Sequence, residues 1–461
     1  MRFFTKAFAS LLTLGLVGLS GLVSAKSSTG DSVLVVLDPS LKRENYSVFF
    51  SRLEQRGYQL TFRAPKDVAP AIMEYDVPMF SHIILFTPET KSYAQDITPQ
   101  SLVSALEQGT NLLIALSDKQ TPLSSLATEF SLILPPPGTP VISHHPFPRD
   151  AGVDLFTAAT IPTGAAPMFS PAIPDVWYRG VSHALGSSPY LVPLLRAPAE
   201  SFAADSTADG AGADALVDAA EKGGEGLWAG GAMGLVTGFQ TNVGSRAVFT
   251  GSVDLFSNEL AKKHLPLGGS GGHIGGAPGN NRWAQDVAGW LFQETLTLRI
   301  DNVTHHRAGE DFTPETYTIN DDIVYEIQIS KYDIRAETFV PYSDIPDLQL
   351  EFTMLDPHVR TALPAVPGKP GTYQVAFRAP DRHGVFKFLV NWRRTGWSYL
   401  HSSVTVPVVP PRHDGYPRFL SAAWPYYAGA ASTSLGFVLF CALWLGGDVR
   451  GERKRGGKKV E

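Results

Sequence analysis

The chain has 461 residues, of which 44% are hydrophobic and 18% charged, and a formal net charge of −6 with a pI near 6.1; this balance excludes a polybasic surface for nucleic acid. Its one cysteine, Cys441, sits in the most apolar stretch, so the remainder can form no disulfide and can use no cysteine nucleophile or cysteine metal ligand. Aromatic content of 11% and 35 prolines point to a loop-rich protein that contains β-structure.

At the N-terminus, Arg2 and Lys6 precede an apolar run from Phe8 to Val23, and small residues at Val23 and Ala25 suit cleavage after Ala25. Residues 1–25 read as a secretory signal peptide, with an uncleaved anchor as the alternative. Either way, the large region after residue 25 is carried out of the cytosol. From Asp31 to about Leu134, short buried strands (Val33–Leu37, Tyr58–Phe62, His82–Phe86, Asn111–Leu116) alternate with helices (Tyr46–Arg56, Pro99–Gln108) that stop at Gly57 and Gly109. Such alternation predicts βαβ units and a mainly parallel sheet, and glycine just past a helix takes up the left-handed cap cheaply. The α/β region is expected to span 31–295. Within it, 197–226 carries Asp205, Asp209, Asp214 and Asp218 among Ala and Gly with almost no large apolar side chains, so it reads as a disordered insertion. Strands resume at Leu227–Gln240 and Ala247–Thr250, and helices at Ser257–Lys263 and Trp283–Gln293.

Past Leu296 the period becomes two. Ile323, Tyr325, Ile327 and Ile329 alternate with polar neighbours, as do Leu348 to Met354, Tyr373 to Phe377 and Phe386 to Trp392. These segments predict an antiparallel β-sandwich over 296–410. An uncharged run from Phe419 to Gly447 comes next, enough for one transmembrane helix, placed at 424–447. Trp424, Tyr426, Tyr427 and Trp444 suit the interfacial belts, and Arg450 to Lys459 put the 448–461 tail in the cytosol. The chain is thus expected to be single-pass type I, with its bulk lumenal. Ala428, Ser432 and Gly436 recur every four residues and offer a close-packing face to another helix, the alternative being a generic alanine-rich span. Lys458 and Lys459, third and fourth from the end, match a dilysine signal for retrieval to the endoplasmic reticulum. Asn45 and Asn302 open N-x-S/T sequons and are candidate glycan acceptors on surface loops.

Catalytic signals are weak. Gly268, Ser270 and Gly272 satisfy G-x-S-x-G, but without the strand before and helix after that a nucleophile elbow requires. His144-His145 and His305-His306 are adjacent pairs, and on a strand adjacent side chains face opposite ways, so neither makes a metal clamp by itself. Asp321-Asp322 and Glu310-Asp311 flank turns, where Asp is expected for backbone reasons. No catalytic residue, metal or cofactor is assigned.

Several segments in combination resemble one family. Ser252-Val253-Asp254-Leu255-Phe256-Ser257, His305-His306-Arg307, Leu350-Glu351-Phe352 with Asp356-Pro357 and Val359-Arg360-Thr361, and Tyr416-Pro417-Arg418-Phe419 before Pro425-Tyr426-Tyr427 are similar to the 48 kDa subunit family of eukaryotic oligosaccharyltransferase. The resemblance runs from about Ser32 to the span; the alanine-rich insertion and the glycine loop depart from it. It implies a glutamine-amidotransferase-like N-terminal fold and a non-catalytic subunit of the complex that moves a preassembled glycan from dolichyl diphosphate to asparagine in N-x-S/T sites. The partners it implies are the multispanning catalytic subunit, ribophorin-like subunits and the membrane, with no nucleic acid. A free-standing cargo or glycan-binding receptor of the early secretory pathway, or a lumenal hydrolase, are the alternatives.

Overall fold

The computed structural model describes residues 26–143, 156–157, 163–171, 173–174, 176–199, 201–203, 228–263, 278–415 and 421–455. The expected signal peptide (1–25), the His144-His145 pair, the Gly268–Gly272 motif, the Tyr416–Phe419 segment and the expected retrieval lysines Lys458 and Lys459 lie outside the described residues.

A seven-stranded sheet organises the first unit. Its strands are β1 (Ser32–Leu37), β2 (Gln59–Arg63), β3 (His82–Phe86), β4 (Asn111–Ala115), β5 (Leu191–Arg196), β6 (Gly234–Gln240) and β7 (Arg246–Thr250), in the spatial order β5-β6-β7-β4-β3-β1-β2. The pairs from β7 through β2 are parallel, whereas β6 and β5 run antiparallel on one edge. The unit is therefore mixed, with a parallel centre. Strands β3 and β4 are buried along their whole length, because helices cover both faces and central strands of such sheets read as continuous apolar runs.

Helix α1 (Ser47–Gln55) turns Phe49, Phe50 and Leu53 inward and ends before Gly57, whose φ of +92° only glycine adopts without strain. Helix α2 (Pro99–Glu107) is closed at its start by a reciprocal capping box: Ser101 N donates to Thr98 Oγ1 and Thr98 N to Ser101 Oγ, with Pro99 at the first helical position. Helix α3 (Pro122–Glu129) is an addition to the expected elements; Thr121 N donates to Ser124 Oγ at its start. Helices α4 (Asn258–Lys262) and α5 (Asn280–Leu291) come after β7. The expectation of disorder from 197 onward is corrected at the beginning of the insertion. Ser201–Ala203 is a strand paired with Val141–Ser143, and Ala197, Ser201 and Ala203 are buried, since Phe202 and the flanking small residues supply just enough side chain to close a two-stranded ladder. Residues 204–227 lie outside the described residues.

The second unit is β-rich. One sheet pairs β8 (Leu298–Arg307), β10 (Asp322–Asp333), β11 (Thr338–Pro341) and β14 (Thr372–Arg378); the other has the order β9-β16-β15-β12-β13, from Tyr317–Thr318, Leu400–Val409, Gly384–Trp392, Gln349–Thr353 and Pro357–Ala362. All their pairings are antiparallel except β9 with β16, a parallel contact that alternation alone could not reveal. Inward residues of both sheets, among them Tyr325, Ile327, Phe352, Phe386 and Phe388, form one cluster. Last comes α6 (Trp424–Arg455), which continues past the expected end at 447; its Trp424–Gly446 portion is apolar enough to cross a membrane and none of its most hydropathic window is buried.

Candidate functional site

In open α/β sheets ligands gather outside the carboxyl ends of the strands, where the winding reverses. Here β1 lies between β2 and β3, and the chain winds out to β2 and then back past β1 to β3. A crevice of about 420 Å³ opens beside that point, lined by Leu41, Pro88, Leu116–Asp118, Arg179–Val181 and Gly251–Asp254. Asp38, the residue just after β1, accepts from Ser40 N (3.0 Å), Ser40 Oγ (2.9 Å) and Thr90 Oγ1 (2.7 Å). Burial alone would raise the Asp38 carboxyl, but these hydrogen bonds outweigh it and hold the group below the ordinary carboxylate value. Arg179 Nε donates to Asp254 Oδ2 at 2.7 Å, and Asp254 N donates to Ser252 Oγ at 3.1 Å. The Ser252–Ser257 segment singled out in the sequence thus forms one wall. Its approach depends on Gly251, where an added Cβ would lie 1.9 Å from Val181 O.

The crevice offers hydroxyls and two carboxylates already engaged within the chain, and neither histidine nor cysteine lines it. It can accept a small polar ligand. Activating a nucleophile needs a base within hydrogen-bond reach; the hydroxyl–carboxylate contact among the described lining residues is Ser117 Oγ donating to Asp118 Oδ1 at 3.1 Å, an exposed contact between adjacent residues.

A second polar constellation lies where the two units meet. Arg246, at the start of β7, is fully buried; its guanidinium donates to the carbonyls of Trp290, Thr295 and Leu296 and lies 4.9 Å from the Trp290 ring. Burial pulls it down to about 9, so it stays charged at neutral pH. The segment it clamps needs clamping: Gln293 and Leu296 have φ of +59° and +55°, costly for residues with a side chain. Glu294, between them, is ion-paired with Arg56 and accepts from Tyr58 Oη at 2.6 Å. Trp290 Nε1 donates to Gly396 O (2.8 Å) and Gln240 Nε2 to Trp397 O (2.5 Å). These are polar staples between the α/β unit, from helix α5 and strand β6, and the β-rich unit. Arg246 does not stand out in the sequence, because the apolar run that marks the strand begins at Ala247; a lone arginine abutting that run is the available signal.

Asn45 is exposed in a 3-10 turn (Arg43–Tyr46). Asn302 is also exposed, but on β8 rather than on a loop, next to a bulge at Asp301: the bulge lets the strand run on where alternation breaks. Ala428 is half-buried, and Ser432 and Gly436 are exposed along α6; Ser432 Oγ donates back to Gly429 O. His305 and His306 do not converge: His305 Nδ1 meets Tyr317 Oη at 2.9 Å, and His306 Nδ1 lies 2.9 Å from Arg307 O. No cluster of three metal-ligating side chains occurs among the described residues. Asp321 accepts from Arg307 Nε (2.8 Å) and Thr318 N (2.7 Å), a turn-closing role.

Comparison with known proteins gives two family matches: the OST48 N-terminal domain over residues 24–294 and the OST48 middle domain over residues 305–448. Similar curated relatives are dolichyl-diphosphooligosaccharide–protein glycosyltransferase 48 kDa subunits. That of Danio rerio is 30% identical over 446 residues, covering 93% of this chain and 94% of the relative. That of Caenorhabditis elegans is 31% identical (91% and 92% covered), and that of Drosophila melanogaster 33% identical (90% and 91%). Among solved structures, a ThuA-like protein of Parabacteroides merdae aligns with 10% identity over 54% of this chain and 98% of its own, at a TM-score of 0.29, too low to bear on the fold.

Proposed function

We propose a role for this chain from the premise that it belongs to the OST48 family: it is a subunit of the oligosaccharyltransferase complex, which transfers a preassembled glycan from dolichyl diphosphate to asparagine in N-x-S/T sites. Within that complex it acts as a scaffold and not as the catalyst. The observation that carries the reading is the pair of family matches, one on each folded unit. In support of the scaffold role, the charged groups of the crevice are engaged inside the chain, and Trp290, Gln240 and Arg246 of the α/β unit bond across to Gly396, Trp397 and Ser398 of the β-rich unit.

The finer reading rests on the same premise. After a signal peptide (1–25), a glutamine-amidotransferase-like α/β region (31–295) with an insertion in 197–226 and a β-sandwich (296–410) occupy the lumen of the endoplasmic reticulum. One helix (424–447) spans the membrane as type I, and a tail (448–461) carries Lys458 and Lys459 for retrieval. Ala428, Ser432 and Gly436 dock against the helix of a partner, the multispanning catalytic subunit or a ribophorin-like subunit, and Asn45 and Asn302 accept glycans. The exposure of Ser432 and Gly436, and of Asn45 and Asn302, supports the last two assignments. The test is isolation of the tagged full chain from microsomes in mild detergent. The expected result is recovery with a multispanning transferase, and glycosylation of an acceptor peptide by the assembly but not by this chain alone. A chain recovered alone, or one that transfers glycan unaided, overturns the reading.

A further inference from the structure

The β-rich unit has two dissimilar ends. At one, the Arg393–Tyr399 loop between β15 and β16 is committed to the α/β unit, through Trp290 to Gly396 O, Gln240 to Trp397 O and Ser398 N to Leu296 O. Strand register fixes what lies at the other. Gly384 pairs with Val408, Thr353 with Lys387 and Thr318 with Val409, so the β12–β13 turn, the start of β15 and the end of β16 are neighbours. The loop after β8 joins them, because Arg307 pairs with Ile323 and Ile319 N donates to Val409 O.

This end carries a set of apolar side chains held out in water: Leu355 is 91% exposed, Phe312 61%, Val385 57% and Val409 40%. Each stands on a different loop tip or strand end. It is also the end from which the chain leaves for the apolar helix. The intervening segment 410–423 reaches at most about 50 Å when fully extended, and the 3-10 turns His413–Gly415 and Ser421–Ala423 shorten it. We propose that this end of the β-rich unit rests on the bilayer, with Leu355, Phe312 and Val385 entering the headgroup region of the membrane that Trp424–Gly446 crosses; the proposal rests on the reading of that helix as a span. A lipid surface fits better than a protein groove-filler for two reasons. The tips are single apolar side chains set among exposed charges of both signs, Asp356, Asp381, Arg382 and Lys387, which suit zwitterionic headgroups. The helix beyond the linker opens with exposed Trp424 and Tyr426, residues that favour the same interfacial layer.

The full chain allows a direct test, since Cys441→Ser removes its only cysteine. In that background Leu355→Cys, Val385→Cys and, as control on the far unit, Tyr75→Cys (93% exposed in the wild type) are labelled with a polarity-sensitive fluorophore and reconstituted in phosphatidylcholine vesicles. Labels at 355 and 385 are expected to emit at shorter wavelength than the label at 75 and to be quenched several-fold more by nitroxides on lipid chains. A chain that resists alkaline extraction while its labels at 355 and 385 match the label at 75 overturns the proposal and leaves the span standing. Labels shielded only in the native assembly, and not by lipid, also overturn it, assigning the face to a partner subunit. A chain stripped from the vesicles by alkali overturns the span and this face with it.

Discussion

At Asn111 the side-chain oxygen accepts from Arg246 N (2.9 Å) and Gln293 Nε2 (3.0 Å), which turns its amide nitrogen toward His82 Nδ1 at 3.1 Å. That nitrogen donates, so Nδ1 must accept and the ring proton sits on Nε2, pointing at Gly30 O (3.0 Å). Hydrogen-bond partners thus fix one neutral tautomer. Burial drives the same way and lowers His82 to about 3, as it lowers His183 to about 4. The folded chain therefore binds fewer protons at these sites than the unfolded chain, whose histidines titrate near 6.5. Their stability contribution is complete above about pH 6.5 and is lost as pH falls, toward about 4 for His183 and about 3 for His82, by up to roughly 1.4 kcal/mol per pH unit for each group. Denaturant titrations over that window should show a shallower acid slope for His82→Gln than for the wild type. A second prediction concerns Glu294. Tyr58→Phe removes a hydrogen bond to its buried carboxylate and should cost about 2 kcal/mol, read from the denaturation midpoint, while Tyr75→Phe, at the exposed turn between the paired segments Met73–Glu74 and Val77–Pro78, should cost nothing measurable.

Elements differ in how plainly the residues announce them. Strands β1, β3 and β4 and helices α1 and α2 were legible because uninterrupted apolar runs and terminal glycines or capping residues agree with one another. Strand β8 was not, and its bulge explains why: Leu298 and Ile300 alternate in one phase, Asp301 is inserted, and Val303 and His305 resume in the other, so no single period-2 template fits. Helix α3 was hidden by its short length and by serines and threonines that read as loop. The crevice was half legible. Its Ser252–Asp254 wall stood out in the sequence, but Arg179 and Pro88 come from distant segments that only the fold brings there. What holds that wall is an element-level constraint, the contact of Gly251 with the Val181 carbonyl and with Tyr178 Oη, 2.4 Å from an added Cβ. A carbonyl cannot rotate away as a flexible side chain can, so Gly251→Ala should destabilise the α/β unit by roughly 3 kcal/mol, at the upper end of overpacking costs. Gly436→Ala, with nothing near its Cβ position, should leave the denaturation midpoint unchanged.

Across the whole molecule, coupling of the two units runs through a few residues of one loop. Trp397 packs against the hydrophobic clusters of both units, stacks on Tyr342 at 5.9 Å, meets Trp392 edge-on at 6.2 Å and receives the Gln240 hydrogen bond on its carbonyl. On the same loop, Arg393 lies over Tyr190 of the α/β unit at 3.9 Å. Below this layer the connecting segment is strained at Gln293 and Leu296 and held by the Arg246 guanidinium. Strain of that kind persists only while its surroundings hold it, so the loop and the linker should fail together. Trp397→Ala removes apolar area from both clusters at once, on the order of 2–3 kcal/mol for a half-buried indole, and leaves each core otherwise intact. The expected outcome in calorimetry is that a single cooperative transition of the wild type separates into two, with the α/β unit and the β-rich unit melting independently, and that a protease nicks the 293–297 segment in the variant first. One transition at a lower midpoint, with no new cleavage there, would mean that the bonds to the loop from Trp290, Gln240 and Arg246 suffice to couple the units without the Trp397 indole.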